Sequence, residues 1–155
     1  MIIPIFWSEK TKIHNLPELL ENYRRHGGAI VEYRRIFSVF VFSRMYPVYE
    51  WVSPETTRKA AGRKHALFCG LLGWWSIMGF FGTAGAIINN LMGGIDVTKV
   101  LTMPPPVPGQ PFDDSAIREL NAARKRQGYA FVIFLFVLLL LILILVSPYF
   151  KDAFK

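Results

Sequence analysis

"GLLGWWSIMGFFGTAGAIINNLMGGIDVT", Gly70–Thr98, is the stretch on which the fold turns. It carries no charge before Asp96, which suits a membrane. Its apolar residues are interrupted by Gly70, Gly73, Gly79, Gly82 and Gly85. Gly82 and Ala86 make a small-xxx-small pair that lets a neighbouring helix approach closely. Trp74 and Trp75 lie about 14 Å past His65 on a straight helix at ~1.5 Å per residue. That is near mid-bilayer, whereas tryptophan favours the membrane interface. At the exit, Asn89, Asn90, Gly93, Gly94 and Asp96 read as a helix stop, since Asn and Gly supply left-handed cap geometry. A polar ligand site is the sharper alternative there. Two readings of Ala66–Met92 stay open. It crosses a membrane once, or it turns near Gly79–Gly82 and returns as a re-entrant hairpin.

Charge bears on that choice. If the block spans, Lys99, Arg118, Arg124, Lys125 and Arg126 face outside, against the tendency of Lys and Arg to stay inside. If the block is a hairpin, every Lys and Arg up to Arg126 stays on the cytoplasmic side, leaving Lys151 and Lys155 beyond the membrane. Opposing the hairpin, irregular backbone at membrane depth must be buried in protein.

Working outward, the 155 residues are 52% hydrophobic with a formal net charge of +7 and a mean hydropathy of +0.31. The hydrophobicity is concentrated in Ala66–Met92 and Tyr129–Val146. The cations stand beside these blocks: Arg58, Lys59, Arg63 and Lys64 before the first, Arg124, Lys125 and Arg126 before the second. Basic residues so placed set topology and touch anionic lipid headgroups. No RNA- or DNA-binding motif accompanies them, so nucleic acid is not the expected partner. "YAFVIFLFVLLLLILILV" is long enough to span a hydrocarbon core of about 30 Å. It is bare of glycine and of ionisable groups, and reads as an anchor. "DDSAIRELNAARKRQG" before it reads as an amphipathic helix that runs on into the membrane. "LTMPPPVPGQPF" reads as a stiff polyproline connector.

The first 64 residues predict a small cytoplasmic α+β domain, since "MIIPIFWSEKTK" lacks the basic start and long apolar run of a cleavable signal. "NLPELLENYRRHGG" has Asn15 and Glu18 spaced as a capping box, an apolar stripe of Leu16, Leu19, Leu20 and Tyr23, and Gly27-Gly28 as a stop. "AIVEYRRIFSVFVFSRMYPVYEWVSP" predicts two or three antiparallel strands, over Ala29–Glu32, Ile36–Ser43 and Val48–Val52. "MIIPIFW" adds a candidate edge strand. The expected division is 1–64 for this domain, 65–93 for the Gly-rich membrane segment, 94–128 for connector and amphipathic helix, 129–150 for the anchor and 151–155 for a tail. The fold class is a membrane α-helical protein with two hydrophobic helical segments and a small N-terminal α+β domain.

Gly27, Gly28, Gly73, Trp74, Trp75, Asn90, Gly93, Gly94, Asp96, Val97 and Thr98 carry a resemblance. Together they make the stretch similar to a set of uncharacterised bacterial membrane proteins. In those, a Gly-Gly-led β segment precedes a Gly-Trp-Trp-Gly-containing hydrophobic stretch ending in Asn-x-x-Gly-Gly-x-Asp-Val-Thr. The resemblance covers under half the chain. It departs at "SIMGFFGTA", where the family has a proline-containing break. It implies bacterial origin and a membrane location, and no chemistry.

Candidate chemistry is sparse. His14, His26 and His65 are scattered, with no metal spacing. His65, at the head of the membrane block, is the one candidate ligand for a haem or pigment, against an ordinary interfacial role. Cys69 is alone and reads as a buried apolar residue. No phosphate loop is present. No cofactor is predicted. Gly70, Gly73, Trp74, Trp75, Gly79, Gly82, Gly85 and Ala86 are expected to form a helix-packing surface. The expected function is a non-catalytic accessory subunit of a bacterial membrane complex, partnered by other integral subunits and anionic lipids. The alternative is a stand-alone membrane-anchored module that recruits a soluble partner.

Overall fold

The β-branched and aromatic run from Ala29 to Val52 forms one long antiparallel hairpin in the computed structural model. That structure describes residues 13, 15–40, 42–104 and 113–153, leaving aside the side chains of 77, 78 and 146–153. Strand β1 (Ala29–Val39) pairs with β2 (Phe42–Val52) in a register running from Ala29↔Val52 to Val39↔Phe42. Phe40, in the two-residue link, takes the positive φ of 51° that such links demand. Of the expected two or three antiparallel strands the run forms two, with the first continuing through Tyr33–Arg35. Arg34 and Arg35 do not interrupt β1, because buried partners from other elements receive the Arg34 backbone and the Arg35 side chain.

The helix before the hairpin, α1 (Leu16–His26), has Pro17 in its first turn and buries Leu19. Gly27 and Gly28 end it with φ of 68° and 89°. The expected capping box is not made: Asn15 has a non-cap backbone geometry, and its side chain makes no cap hydrogen bond.

The Gly-rich block folds as two helices. Helix α2 (Arg58–Leu72) is capped by Thr57, whose Oγ1 accepts from Ala60 N at 3.2 Å. Helix α3 (Ile77–Leu91) is capped by Ser76, whose Oγ accepts from Gly79 N at 2.8 Å. The chain reverses at Gly73–Ser76, earlier than the expected Gly79–Gly82. Ser76 supplies the extended backbone and side-chain cap that start a helix, so Gly79 and Gly82 lie inside α3. At 15 residues each, α2 and α3 are short of the ~20 needed to cross a bilayer. The helix also begins among the basic residues, so the expected boundary between 64 and 65 falls within α2.

Gly93 and Gly94 follow α3 with φ of 95° and 64° and lead into β3 (Ile95–Asp96). This strand pairs antiparallel with the other edge of β1, at Val31↔Asp96 and Glu32↔Ile95, giving the sheet order β2-β1-β3. Residues beyond the expected domain boundary therefore complete the sheet. A short helix, α4 (Thr98–Thr102), and a long one, α5 (Ser115–Ala153), finish the described chain. Ala116, Ile117 and Leu120 are buried. Ala116 and Leu120 join Leu19, Ile30, Ile95, Val97, Val100 and Leu101 in the main core. A second cluster, Val31, Tyr33 and Val52, packs on Ala61 of α2, and a third joins Ile36, Cys69 and Ala86.

From Ser115, α5 runs unbroken for 39 residues. Within it, Ser115–Leu145 is long and apolar enough to cross a membrane, alone among the described residues, and none of its most apolar window is buried in the fold. The expected edge strand at 1–7 and most of the proline connector lie outside the described residues.

Candidate functional site

The exit motif of the Gly-rich block closes an open sheet edge. Beyond Glu32, β1 has no strand among the described residues on the side away from β2, so each even-numbered residue there presents an N–H and a C=O with no ladder partner among them. Such groups are costly when buried. Asn90, fully buried at the end of α3, meets both at Arg34. Its Oδ1 accepts from Arg34 N at 2.9 Å, and its Nδ2 donates to Arg34 O at 2.7 Å. The amide side chain thus replaces a strand. Cys69 Sγ donates to the same carbonyl at 3.3 Å. At the other end, Thr98 Oγ1 accepts from Ile30 N at 2.7 Å, while Val97 N donates to Ile30 O at 2.9 Å. Asp96 Oδ1 accepts from Thr98 N at 3.0 Å and so forms the turn that aims Thr98 inward. Asn89 is buried beside it, donating to Asn90 Oδ1 at 3.4 Å. On the opposite edge Pro47 stands across from Arg34, where its missing N–H faces away from β1.

Close approach of these elements requires glycine. A β-carbon on Gly62 would overlap the Asn90 carbonyl, and one on Gly94 would lie 2.6 Å from Val31 Cγ1 and 2.7 Å from Glu32 O. Gly73 abuts Thr83 and Ile36, Gly79 abuts Ser38, and Gly82 abuts Ile36. Gly85 faces the Phe131 ring of α5, whereas Gly70 meets little beyond Ile87. Ala86 is fully buried. Several of these glycines therefore admit β1, which the spacing did not indicate. Trp74 and Trp75 are exposed at the turn, where Trp74 packs on Phe80 with ring centres 5.2 Å apart.

His65 is buried, only 1% exposed, in a polar network. Arg35 Nε donates to His65 Nδ1 at 3.0 Å. Arginine can only donate, so Nδ1 is the acceptor and Nε2 carries the proton, donating to Glu50 Oε2 at 2.8 Å. Lys64 Nζ bonds the other Glu50 oxygen. Both imidazole nitrogens are thereby engaged, and neither offers a free lone pair to a haem or pigment. Tyr33 stacks on the ring with centroids 4.6 Å apart and donates its Oη to Arg58 O at 2.7 Å. Burial, helped by the Glu50 charge, pushes the Tyr33 phenol up to about 12. Burial also acts to raise the Glu50 carboxyl, but hydrogen bonds from His65 and Lys64 outweigh it and hold it below its ordinary value. Arg35 lies over the Phe68 ring, 4.9 Å from its centroid.

The expected topology cations divide into two groups. Arg58 pairs with Asp96 at 3.3 Å, Lys64 with Glu50, and Arg124 with the buried Glu32 at 3.0 Å. Lys59, Arg63, Lys125 and Arg126 are exposed and have no acidic partner among the described residues. The Glu32–Arg124 pair also lines a cleft of about 820 Å³ with Asn15, Arg34, Pro47 and Tyr49. Among the described residues no acidic group pairs with the Arg34 side chain, and no group of three or more His, Cys, Asp or Glu is arranged to hold a metal.

His65, Glu50, Arg35 and Tyr33 were not legible as a group, nor were Glu32 and Arg124. They converge from sequence separations of 15 to 92 residues. The only available signal was the placement of polar residues on otherwise apolar strand and helix faces. Comparison of the chain with protein-family models, with curated proteins and with solved structures finds no match to any.

Proposed function

We propose that the protein is a non-catalytic structural subunit of a larger bacterial membrane assembly, of the respiratory or photosynthetic kind, anchored by α5. One observation carries this reading: the most apolar window of α5 is entirely unburied within the chain's own fold, so its partners are lipid and other membrane proteins. The polar residues that looked most like a site support it. Asn90, Cys69 and Thr98 bond the backbone of β1, and His65 ties α2 to both long strands, which are architectural uses. A hairpin that returns to its starting side also keeps Arg58–Lys64 and Arg124–Arg126 on one face of the membrane, the cytoplasmic one by their sign. The expected location is the bacterial inner membrane with the N-terminus cytoplasmic.

The test is the size of the native species. Membranes solubilised in mild detergent and run on native gels are expected to show the chain in an assembly well above its 17.7 kDa mass. Migration as a free monomer refutes the reading. Labelling of a Ser115→Cys variant is expected from the cytoplasmic side only, and labelling from outside refutes the topology.

The cleft favours a second reading, a membrane-anchored module that recruits a soluble partner. Its half-buried Arg34 would receive an acidic side chain. On that reading Arg34→Ala releases a soluble protein from the membrane without altering the size of the solubilised species.

A further inference from the structure

Two contacts orient α3 against α5. Gln127 Nε2 donates to Gly94 O at 3.1 Å, and Gly85 faces the Phe131 ring, 3.5 Å from where its β-carbon would stand. Traced back from Gly94 to Gly85, α3 therefore runs from the basic end of α5 toward its apolar part. The rest of α3 continues in that direction. From Gly85 to Ile77 is at most about 12 Å at ~1.5 Å per residue. The turn at Gly73–Ser76 thus lies within one leaflet, half of a hydrocarbon core of about 30 Å.

The tip of the β-hairpin ends at the same level. Ile36 packs on Gly73 and Gly82, and Ser38 on Gly79, which carries Val39, Phe40 and Phe42 to the height of the helical turn. The two tips expose large apolar side chains, Phe40 at 85%, Phe42 at 79%, Trp75 at 68% and Leu71 at 64%, with Phe80 and Phe81; Leu67 at 65% stands one turn back on α2, and Leu91 and Met92 stand at the far end of α3. No charge occurs between His65 and Asp96, nor between Arg35 and Arg44. Backbone hydrogen bonds close the helix ends on either side of the turn. Gly73 N donates to Cys69 O at 2.8 Å, and Phe80 N donates to Ser76 O at 2.8 Å.

A cationic collar stands above the tips. A β-carbon on Gly93 would lie 3.2 Å from Arg58 Cβ, and Gly94 is bonded to Gln127, so the first turns of α2 and the Lys125–Gln127 turn of α5 share one height. Lys59, Arg63, Lys125 and Arg126 project there without acidic partners among the described residues.

We propose that the head is itself inserted: both hairpin tips sit in the acyl region of the leaflet that α5 enters, while the collar binds anionic phospholipid headgroups. The occupant of the apolar surface is lipid, because that surface is continuous with the apolar part of α5 and is bounded by cations at the depth where α5 meets the headgroups. The β tip sits shallower than the helical tip. Among the described residues no strand pairs the Ser43 and Met45 backbone on the outer edge of β2, and the nearby Arg44 must reach back to the headgroups. Insertion concerns lipid contact alone and stands apart from membership of an assembly.

The experiment uses the full-length chain, purified and reconstituted without partners in phosphatidylcholine–phosphatidylglycerol vesicles. Tryptophan fluorescence is quenched with lipids brominated along the acyl chain and with aqueous iodide. The contribution of Trp74 and Trp75 is obtained by difference from W74F/W75F, which alters exposed side chains only. That difference is expected to be quenched severalfold more by acyl-chain bromine than by iodide. Omitting phosphatidylglycerol is expected to shift the balance toward iodide. As a second measurement, nitroxides on Phe40→Cys and Ala60→Cys variants are read by power saturation with oxygen and with a water-soluble nickel complex. Oxygen is expected to dominate at position 40 and nickel at position 60. Preferential iodide quenching of Trp74 and Trp75 overturns the proposal. So does protection of position 40 from both relaxants, which marks a protein–protein contact.

Discussion

Replacing Asn90 by alanine removes the amide that stands in for a third strand beside Arg34. The variant loses the 2.9 Å bond from Arg34 N and the 2.7 Å bond to Arg34 O. It leaves both backbone groups in a site where Asn90 itself is fully buried. A buried group deprived of its partner costs about 1–3 kcal/mol. Arg34 is only half-buried, so the low end of that range applies to each group. With the small void left by the amide, the expected loss is about 3 kcal/mol, a large share of the ~5–15 kcal/mol that holds a typical domain together. Asn90→Asp is no rescue, because it keeps the acceptor for Arg34 N but turns a carboxylate oxygen toward Arg34 O. Asn89→Ala is the control. It gives up one long bond of 3.4 Å and is expected to cost about 1 kcal/mol or less. The assay is reversible urea unfolding in mild detergent followed by near-UV circular dichroism, with hydrogen exchange at the Arg34 amide as a local probe. A cost of Asn90→Ala below about 1 kcal/mol, or no greater than that of Asn89→Ala, refutes the edge-capping account.

Gly62→Ala drives a methyl into the Asn90 carbonyl and is expected to destabilise by about 1–3 kcal/mol or more, whereas Gly128→Ala has nothing within 4 Å and gains up to ~1 kcal/mol of helix propensity; thermal melts in detergent compare them. Glu50 titrates below its ordinary 4.5 in the folded chain, so its contribution is present above that value and is lost as the pH falls through the folded pKa. Glu50→Gln is therefore expected to be less stable than wild type at neutral pH, with a flatter acid limb and convergence at the lowest pH in denaturation scans. Arg124→Ala leaves the Glu32 carboxylate, 6% exposed, without its partner, and is expected to cost about 2 kcal/mol, less than a fully buried pair because Arg124 is 37% exposed. Adding Glu32→Gln is expected to restore most of that loss in the same unfolding assay.

The sequence by itself determined whatever depends on local pattern. Tyr129–Val146 is legible as a helix long and apolar enough to cross a membrane, because its run of apolar residues is uninterrupted. The stripe of Leu16, Leu19, Leu20 and Tyr23 marks a helix, and the aromatic and β-branched run after Gly28 marks strands, because side-chain period reports the buried face. Gly93-Gly94 marks a chain reversal, since positive φ is cheap only for glycine. Tertiary structure alone decided the turn at Gly73–Ser76. Its cap is a single serine among many residues of similar local propensity, and what holds the hairpin closed is β1 packed on its glycines. It likewise decided the role of Asn90. An amide at a helix end reads as a cap until a strand with an unpaired edge is brought beside it, and Arg34 is 56 residues away in the chain. His65 followed the same logic: its partners come from both long strands, and no window of sequence contains them all. Hydrogen-bond demand is created by the pairing of distant segments, so the residues that answer it cannot be recognised before those segments meet.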